Sequence, residues 1–229
     1  MTLALPAPDE IQVWQARLDD PAFDVNALRQ TLTPDETERA ARFRFDQHRR
    51  HFIVGRGILR VLLAQYLAVD PADIRFGYTD KGRPFLVHPA AEGFDWNLSH
   101  SADLALFGFC MEARIGIDVE IIRPVDNIDA VARRFFSPSE FEMLRQLPES
   151  ARLEGFFNCW TRKEAYIKAE GQGISMPLDS FTVSLVPGEA PRLIEPVSQW
   201  HLHDLRPAEN AIAAIAVSAP NRTILVRAY

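Results

Sequence analysis

The hydrophobic and polar positions of this chain fall into one order of elements met twice. Apolar residues recur at helical spacing from about Gln47 to Leu67 and again from about Glu149 to Ala169. Ahead of each lies a helix opening of the same design, Thr33-Pro34-Asp35-Glu36 and Ser137-Pro138-Ser139-Glu140. Each has an N-cap, a proline at the first helical position and an acid three residues after the cap. Gly171 stops the second long helix. Strand-like runs follow each helical block. They are Ile74 to Tyr78, Pro84 to Val87, Phe94 to Leu98, Leu104 to Phe109 and Ile115 to Val119, then Phe181 to Val186, Trp200 to Leu205, Ala211 to Val217 and Thr223 to Ala228. Long helices followed by several short strands predict an α+β fold. The repeated order predicts two similar halves related by a pseudo-twofold, residues 1–115 and 116–229, although no residue-level repeat strong enough to prove duplication accompanies it. The junction lies near Arg114 to Gly116, and a site is expected at the interface of the halves, where pockets tend to form.

Two polar elements interrupt the apolar pattern. At about 100° per residue, Leu153, Phe156, Phe157, Trp160 and Ile167 share one arc of the second long helix, and Glu164 falls near the middle of it. A bare carboxylate there needs a cation or several donors, unless the helix end is exposed and Glu164 forms a surface pair with Lys168. In Arg114-Ile115-Gly116-Ile117-Asp118-Val119-Glu120 the alternation is that of a strand, so Asp118 and Glu120 point to one side. Their Cα atoms lie about 6.6 to 7 Å apart, from which two carboxylates can converge on a hard cation such as Mg²⁺. The alternative is a half-exposed strand with its acids in water.

Composition sets the limits. The 229 residues are 47% hydrophobic and 24% charged, which predicts a soluble globular chain. No apolar run approaches the length of a membrane span and the N-terminus has no signal-peptide pattern, so a cytoplasmic location and no membrane partner are expected. Cys110 and Cys159 each sit in apolar segments and read as packed thiols. The formal charge of −6 argues against nucleic acid. A basic segment from Arg39 to Arg60 stands apart, suited to phosphates, to an acidic protein surface or simply to a solvated helix face. Lys81-Gly82-Arg83 forms a cationic turn, which reads equally as an ordinary solvated turn, and Asn97-Leu98-Ser99-His100-Ser101 ends a strand with groups able to hold phosphate, a capping or structural His100 being the alternative. Gly171-Gln172-Gly173 follows a helix rather than a strand and reads as a helix stop.

Taken in order, Glu38-Arg39, Lys81-Gly82-Arg83-Pro84, Asn97-Leu98-Ser99-His100, Gly116-Ile117-Asp118-Val119-Glu120, Phe135-Phe136-Ser137-Pro138 and Trp160-Thr161-Arg162-Lys163-Glu164-Ala165-Tyr166-Ile167-Lys168 resemble the 4′-phosphopantetheinyl transferases. The likeness is to the larger single-chain type that activates peptide and polyketide synthase carriers, and covers roughly residues 10 to 220. It implies Mg²⁺-dependent transfer of 4′-phosphopantetheine from coenzyme A to a serine of an acyl or peptidyl carrier protein, releasing adenosine 3′,5′-bisphosphate. Asp118, Glu120 and Glu164 would then hold Mg²⁺, and Glu164 would take the serine proton, directly or through a metal-bound water. Lys168 would stabilise charge on the pyrophosphate and leaving group. By the same resemblance Arg39, Lys81, Gly82, Arg83, Asn97, Ser99, His100, Asp118 and Lys168 would bind coenzyme A, with its nucleotide end on the first half. Two halves in one chain imply a monomer. A module that binds coenzyme A without transfer and a Mg²⁺-dependent phosphohydrolase are the alternatives.

Overall fold

The computed structural model describes residues 2–196 and 199–229, the side chain of Ile174 excepted. The first half runs β1 (Glu10–Arg17), α1 (Val25–Gln30), α2 (Pro34–Ala41), α3 (Asp46–Leu67), β2 (Arg75–Tyr78), β3 (Pro84–His88), β4 (Phe94–Ser101) and β5 (Leu104–Met111). The second runs β6 (Ile115–Ile121), α4 (Ile128–Phe135), α5 (Pro138–Gln146), α6 (Glu149–Glu170), β7 (Thr182–Val183), β8 (Leu193–Glu195), β9 (His201–Ala208), β10 (Ala211–Val217) and β11 (Thr223–Ala228). The fold is α+β as predicted. The expected strand Phe181 to Val186 shrinks to the two residues of β7. No described helix is long and apolar enough to cross a membrane.

The two halves use the same sheet order. β1, β5 and β4 stand in the sequence first, last, next to last, and so do β6, β10 and β9, all in antiparallel pairs. β11 breaks the correspondence, since it leaves the second half and pairs in parallel with β1. Each long helix covers its own sheet. α3 packs Ile58, Leu62 and neighbours on Trp96, Phe107 and Phe109, and α6 packs Phe157 and Ala165 on Ile212, Ala214 and Ala216. The other faces of β1, β5, β6 and β10 meet in a third cluster that includes Val13, Leu106, Ile117 and Ile215. β10 is therefore buried on both sides, which explains its unbroken apolar sequence.

Capping boxes form at Thr33 with Glu36 and at Ser137 with Glu140, as the sequence predicts. Both acids also reach a long helix. Glu36 binds Arg60 at 2.7 Å and Glu140 binds Lys163 at 2.8 Å, and each cation is the fifteenth residue of its 22-residue helix. The same acid thus closes a short helix and fixes the rotation of a long one.

The halves meet along β4 and β6, which lie side by side in parallel without a backbone ladder. Backbone N–H groups of Ile115, Ile117, Val119 and Ile121 donate instead to side chains of β4: Asp95 Oδ2 at 2.8 Å, Asn97 Oδ1 at 2.9 Å, Ser99 Oγ at 3.4 Å and Ser101 Oγ at 3.1 Å. The offset is twenty residues at every rung. Arg83 clamps one end, donating to Asp95 Oδ2 at 2.7 Å, to the Ile115 carbonyl at 2.9 Å and to the Lys168 carbonyl. Gly116 lets α6 approach this seam. A Cβ there would lie 2.1 Å from the Ala165 carbonyl oxygen and 2.4 Å from the Ala169 nitrogen, so only glycine fits.

Candidate active site

Helix α6 is held by the two cations that precede Glu164. Arg162 is fully buried and forks onto Asp204, at 3.0 and 2.5 Å, while also donating to the Ser184 carbonyl at 2.6 Å. Lys163 is also fully buried, and its ammonium meets Glu140, the Leu178 carbonyl at 2.6 Å and the Phe181 carbonyl at 2.5 Å. All three of its protons have acceptors. With those neighbours turned inward, Glu164 and Lys168, one helical turn apart, are left half-buried along the opposite side.

That side opens on a cavity of about 660 Å³ between the halves. Lys81, Gly82, Arg83, Asn97, Glu164 and Lys168 line it, so six of the predicted residues share one space. Lys81 and Gly82 arrive on the turn between β2 and β3, where Gly82 has φ 85° and the Gly82 N–H donates to the Thr79 carbonyl at 2.8 Å. Apolar walls come from Trp96, Leu98, Phe135, Ile167 and Met176. Arg39 lines a neighbouring cavity of about 550 Å³ with Phe52 and Tyr78, and Arg56 borders both. His100 lies on the opposite face of β4 from the seam and lines neither cavity. It keeps access to solvent, yet the surrounding protein, with the His51 and Lys168 charges, holds its pKa below the usual histidine value.

Asp118 lies behind Lys168. Its Oδ1 accepts from Lys168 Nζ at 2.6 Å and from Ser99 Oγ at 2.9 Å, while Oδ2 is buried without a partner. Burial pushes its carboxyl pKa up against the pull of Lys168 and Ser99. Glu120 accepts from Ser101 Oγ at 2.7 Å, and burial followed by the Asp118 charge raises its pKa despite that bond. Glu164 is raised by burial and then by Asp118 and Glu120, with Lys168 opposing. The three predicted carboxylates therefore feel one another's charge. Among the described residues no three His, Cys, Asp or Glu side chains are gathered at ligating distance of one point. The donor set nevertheless fits a hard cation: it is all oxygen, its three acids repel one another with Lys168 beside them as the paired cation, and one buried oxygen, Asp118 Oδ2, has no donor.

Several of the side chains read as coenzyme A ligands already have partners within the protein. Ser99, expected to touch nucleotide, is buried at the seam and spends its hydroxyl on Asp118, Lys168 and Val119. Asn97 borders the cavity but commits Oδ1 to Ile117. Arg83 borders it with its guanidinium engaged in the clamp. Much of the basic segment is likewise occupied. Arg49 binds Asp46, Arg50 binds the Leu18 and Asp20 carbonyls, and Arg60 is buried on Glu36. Sequence reasoning misses Asp95 and the seam bonds of Ser101, although polar residues at alternate positions 95, 97, 99 and 101 of one strand are a visible signal. Cys110 and Cys159 are buried free thiols, as expected.

Residues 114–216 match the model of the 4′-phosphopantetheinyl transferase superfamily, and residues 14–109 match that of a 4′-phosphopantetheinyl transferase N-terminal region. The 4′-phosphopantetheinyl transferase HetI of Nostoc sp. is 44% identical over 92% of this chain and 88% of its own length. The chain belongs to the 4′-phosphopantetheinyl transferase family. Further relatives are the transferase Sfp of Bacillus subtilis, 32% identical over 67% of this chain and 66% of its own, and a mouse L-aminoadipate-semialdehyde dehydrogenase-phosphopantetheinyl transferase, 26% identical over 83% and 68%. Within this transferase, then, the Trp160 to Lys168 segment has a division of labour: Arg162 and Lys163 hold the helix, and Glu164 and Lys168 face the cavity.

Proposed function

We propose that the chain transfers the 4′-phosphopantetheine group from coenzyme A to a serine hydroxyl of an apo acyl or peptidyl carrier protein, in a Mg²⁺-dependent reaction that releases adenosine 3′,5′-bisphosphate. The observation that carries this reading is the meeting of Glu164 and Lys168 with Lys81, Gly82 and Asn97 around one cavity, with Lys168 bonded to a buried Asp118 whose second oxygen, Oδ2, has no partner. Residues 1–115 would serve the nucleotide and residues 116–229 the reacting phosphate, in a cytoplasmic monomer that needs neither nucleic acid nor membrane.

In the transfer, the serine oxygen bonds to the phosphorus bearing pantetheine and the phosphoanhydride bond to the nucleotide breaks. Glu164, which faces the cavity, would take the serine proton, directly or through a metal-bound water. Lys168, on the same side of α6, balances charge growing on the leaving phosphate. Asp118, Glu120 and Glu164 would hold Mg²⁺, which would supply charge neutralisation at the pyrophosphate. The apolar walls suit the pantetheine arm, while Lys81 and the Arg39 cavity suit the nucleotide and its 3′-phosphate. Incubation with coenzyme A, Mg²⁺ and an apo carrier, followed by intact mass measurement, tests this reading. The carrier gains one phosphopantetheine group if it is right. Nucleotide release without carrier modification would indicate a phosphohydrolase, and binding without either product a non-catalytic module.

Cation binding should also be visible in stability. Asp118, Glu120 and Glu164 have raised folded-state pKa values, so their contribution in metal-free protein is whole below about pH 4 and is lost as pH rises through the raised values. Mg²⁺ binds the ionised forms, so its stabilising effect is expected to grow as pH rises through these raised values. At a hundredfold excess over Kd it reaches about 2.7 kcal/mol. A Mg²⁺ shift in melting temperature that is flat with pH, or that survives in Asp118→Asn, would remove these carboxylates as ligands.

A further inference from the structure

The rungs of the seam are not chemically alike. Asp95 and Asn97 use a carboxylate and an amide oxygen to accept the N–H groups of Ile115 and Ile117. At the next two rungs the residue changes to serine, and the bonding pattern extends. Ser99 accepts from Val119 N at 3.4 Å and donates to Asp118 Oδ1 at 2.9 Å. Ser101 accepts from Ile121 N at 3.1 Å and donates to Glu120 Oε2 at 2.7 Å. In both cases the hydroxyl accepts a hydrogen bond from the N–H of residue i+20 and donates one to the carboxylate of residue i+19. An ionised carboxylate at the rung could only accept. A hydroxyl does both through one oxygen, and it appears at the rungs that flank Asp118 and Glu120.

We propose that Ser101 is a positioning residue for the cation site: it fixes the Glu120 carboxylate against the seam and so presents it to Mg²⁺, with Ser99 doing the same for Asp118. Groups that hydrogen-bond a metal-ligating carboxylate orient it and set its affinity, and their loss typically costs about 10- to 100-fold in metal binding. The inference rests on the reading of Asp118 and Glu120 as cation ligands. Ser101 is the cleaner of the two to test, because Ser99 also contacts Lys168. Its bonds reach Ile121 and Glu120.

The test measures Mg²⁺ affinity by thermal shift at fixed coenzyme A, alongside the melting temperature without Mg²⁺. Ser101→Ala is expected to weaken Mg²⁺ binding by at least tenfold, and Ser101→Thr, which keeps the hydroxyl, to stay within about threefold of wild type. In a Glu120→Ala background Ser101→Ala should cost nothing further. Should alanine fail to fold, Ser101→Cys keeps a weak acceptor for Ile121 but a poor donor for Glu120, and the same loss is expected of it. A lower melting temperature with unchanged Mg²⁺ affinity, or losses that add in the double variant, would reduce Ser101 to a rung of the seam and overturn the proposal alone. Absence of any Asp118-dependent Mg²⁺ binding in wild type would overturn the underlying reading and this proposal with it.

Discussion

Asp118→Asn and Glu164→Gln are each expected to lower carrier modification by about 10² to 10⁴-fold, the range for a lost acid-base group or charged ligand, in protein that still folds. Asparagine at 118 keeps an oxygen to accept from Lys168 and Ser99, now 2.6 and 2.9 Å away, but lacks the charge that a cation requires. Glutamine at 164 keeps the shape of a half-buried side chain and cannot take a proton. Neither change opens a cavity. The buried Oδ2 of Asp118, which has no partner, becomes neutral or an amide, so the fold loses the ion pair with Lys168 but also a costly buried charge. Initial rates from carrier mass, read beside circular dichroism melts, decide the matter. Unfolded variants would make these acids structural partners of Lys168, and folded variants with near wild-type rates would place the chemistry elsewhere.

The largest expected loss of stability is at Lys163, next to Glu164 in the chain. Lys163 and Glu140 are both fully buried, 2.8 Å apart. Glu140 also accepts from the N–H groups of Ser137 at 2.7 Å and Val183 at 2.6 Å. Lys163→Met keeps the aliphatic stem but leaves a buried carboxylate without its counter-charge and two carbonyls without a donor. Removing one partner of such a pair costs about 3 to 5 kcal/mol, roughly 6 to 20 °C in melting temperature for a chain of this size. Adding Glu140→Gln should recover part of the loss, because the orphaned charge goes with it. Denaturant unfolding of the wild type and the two variants measures this directly. A cost below about 1 kcal/mol for Lys163→Met would show that the helix is held by Arg162 and packing alone.

The sequence exposed the parts of this molecule that obey local rules. Capping boxes at Thr33 and Ser137, the limits of α3 and α6, and the stop at Gly171 depend on residues near in the chain, and they stand where periodicity and cap chemistry put them. The strand parity of Asp118 and Glu120 was legible for the same reason. What could not be read were the long-range partners. Glu36 and Glu140 look like ordinary cap residues until a long helix returns over them, and β1, whose alternation breaks at Val13-Trp14, finds its partners only far along the chain in β5 and β11. Asn97 and Ser99 were noticed as polar groups able to hold phosphate, but their acceptors and donors lie on a strand twenty residues away. Arg83 carries a charge suited to phosphate, and only the fold reveals that it is spent on Asp95 and two carbonyls.

The matched helices α3 and α6 differ where it counts. Their fifteenth residues, Arg60 and Lys163, both bind a capping acid, whereas the sixteenth and twentieth are Val61 and Gln65 in the first and Glu164 and Lys168 in the second. A half that keeps its supports but lacks both the acid and the amine offers no second reaction centre. Coenzyme A titrated into the transferase should therefore saturate at one equivalent per chain along a simple hyperbola, with no second class of sites and no communication between successive loadings.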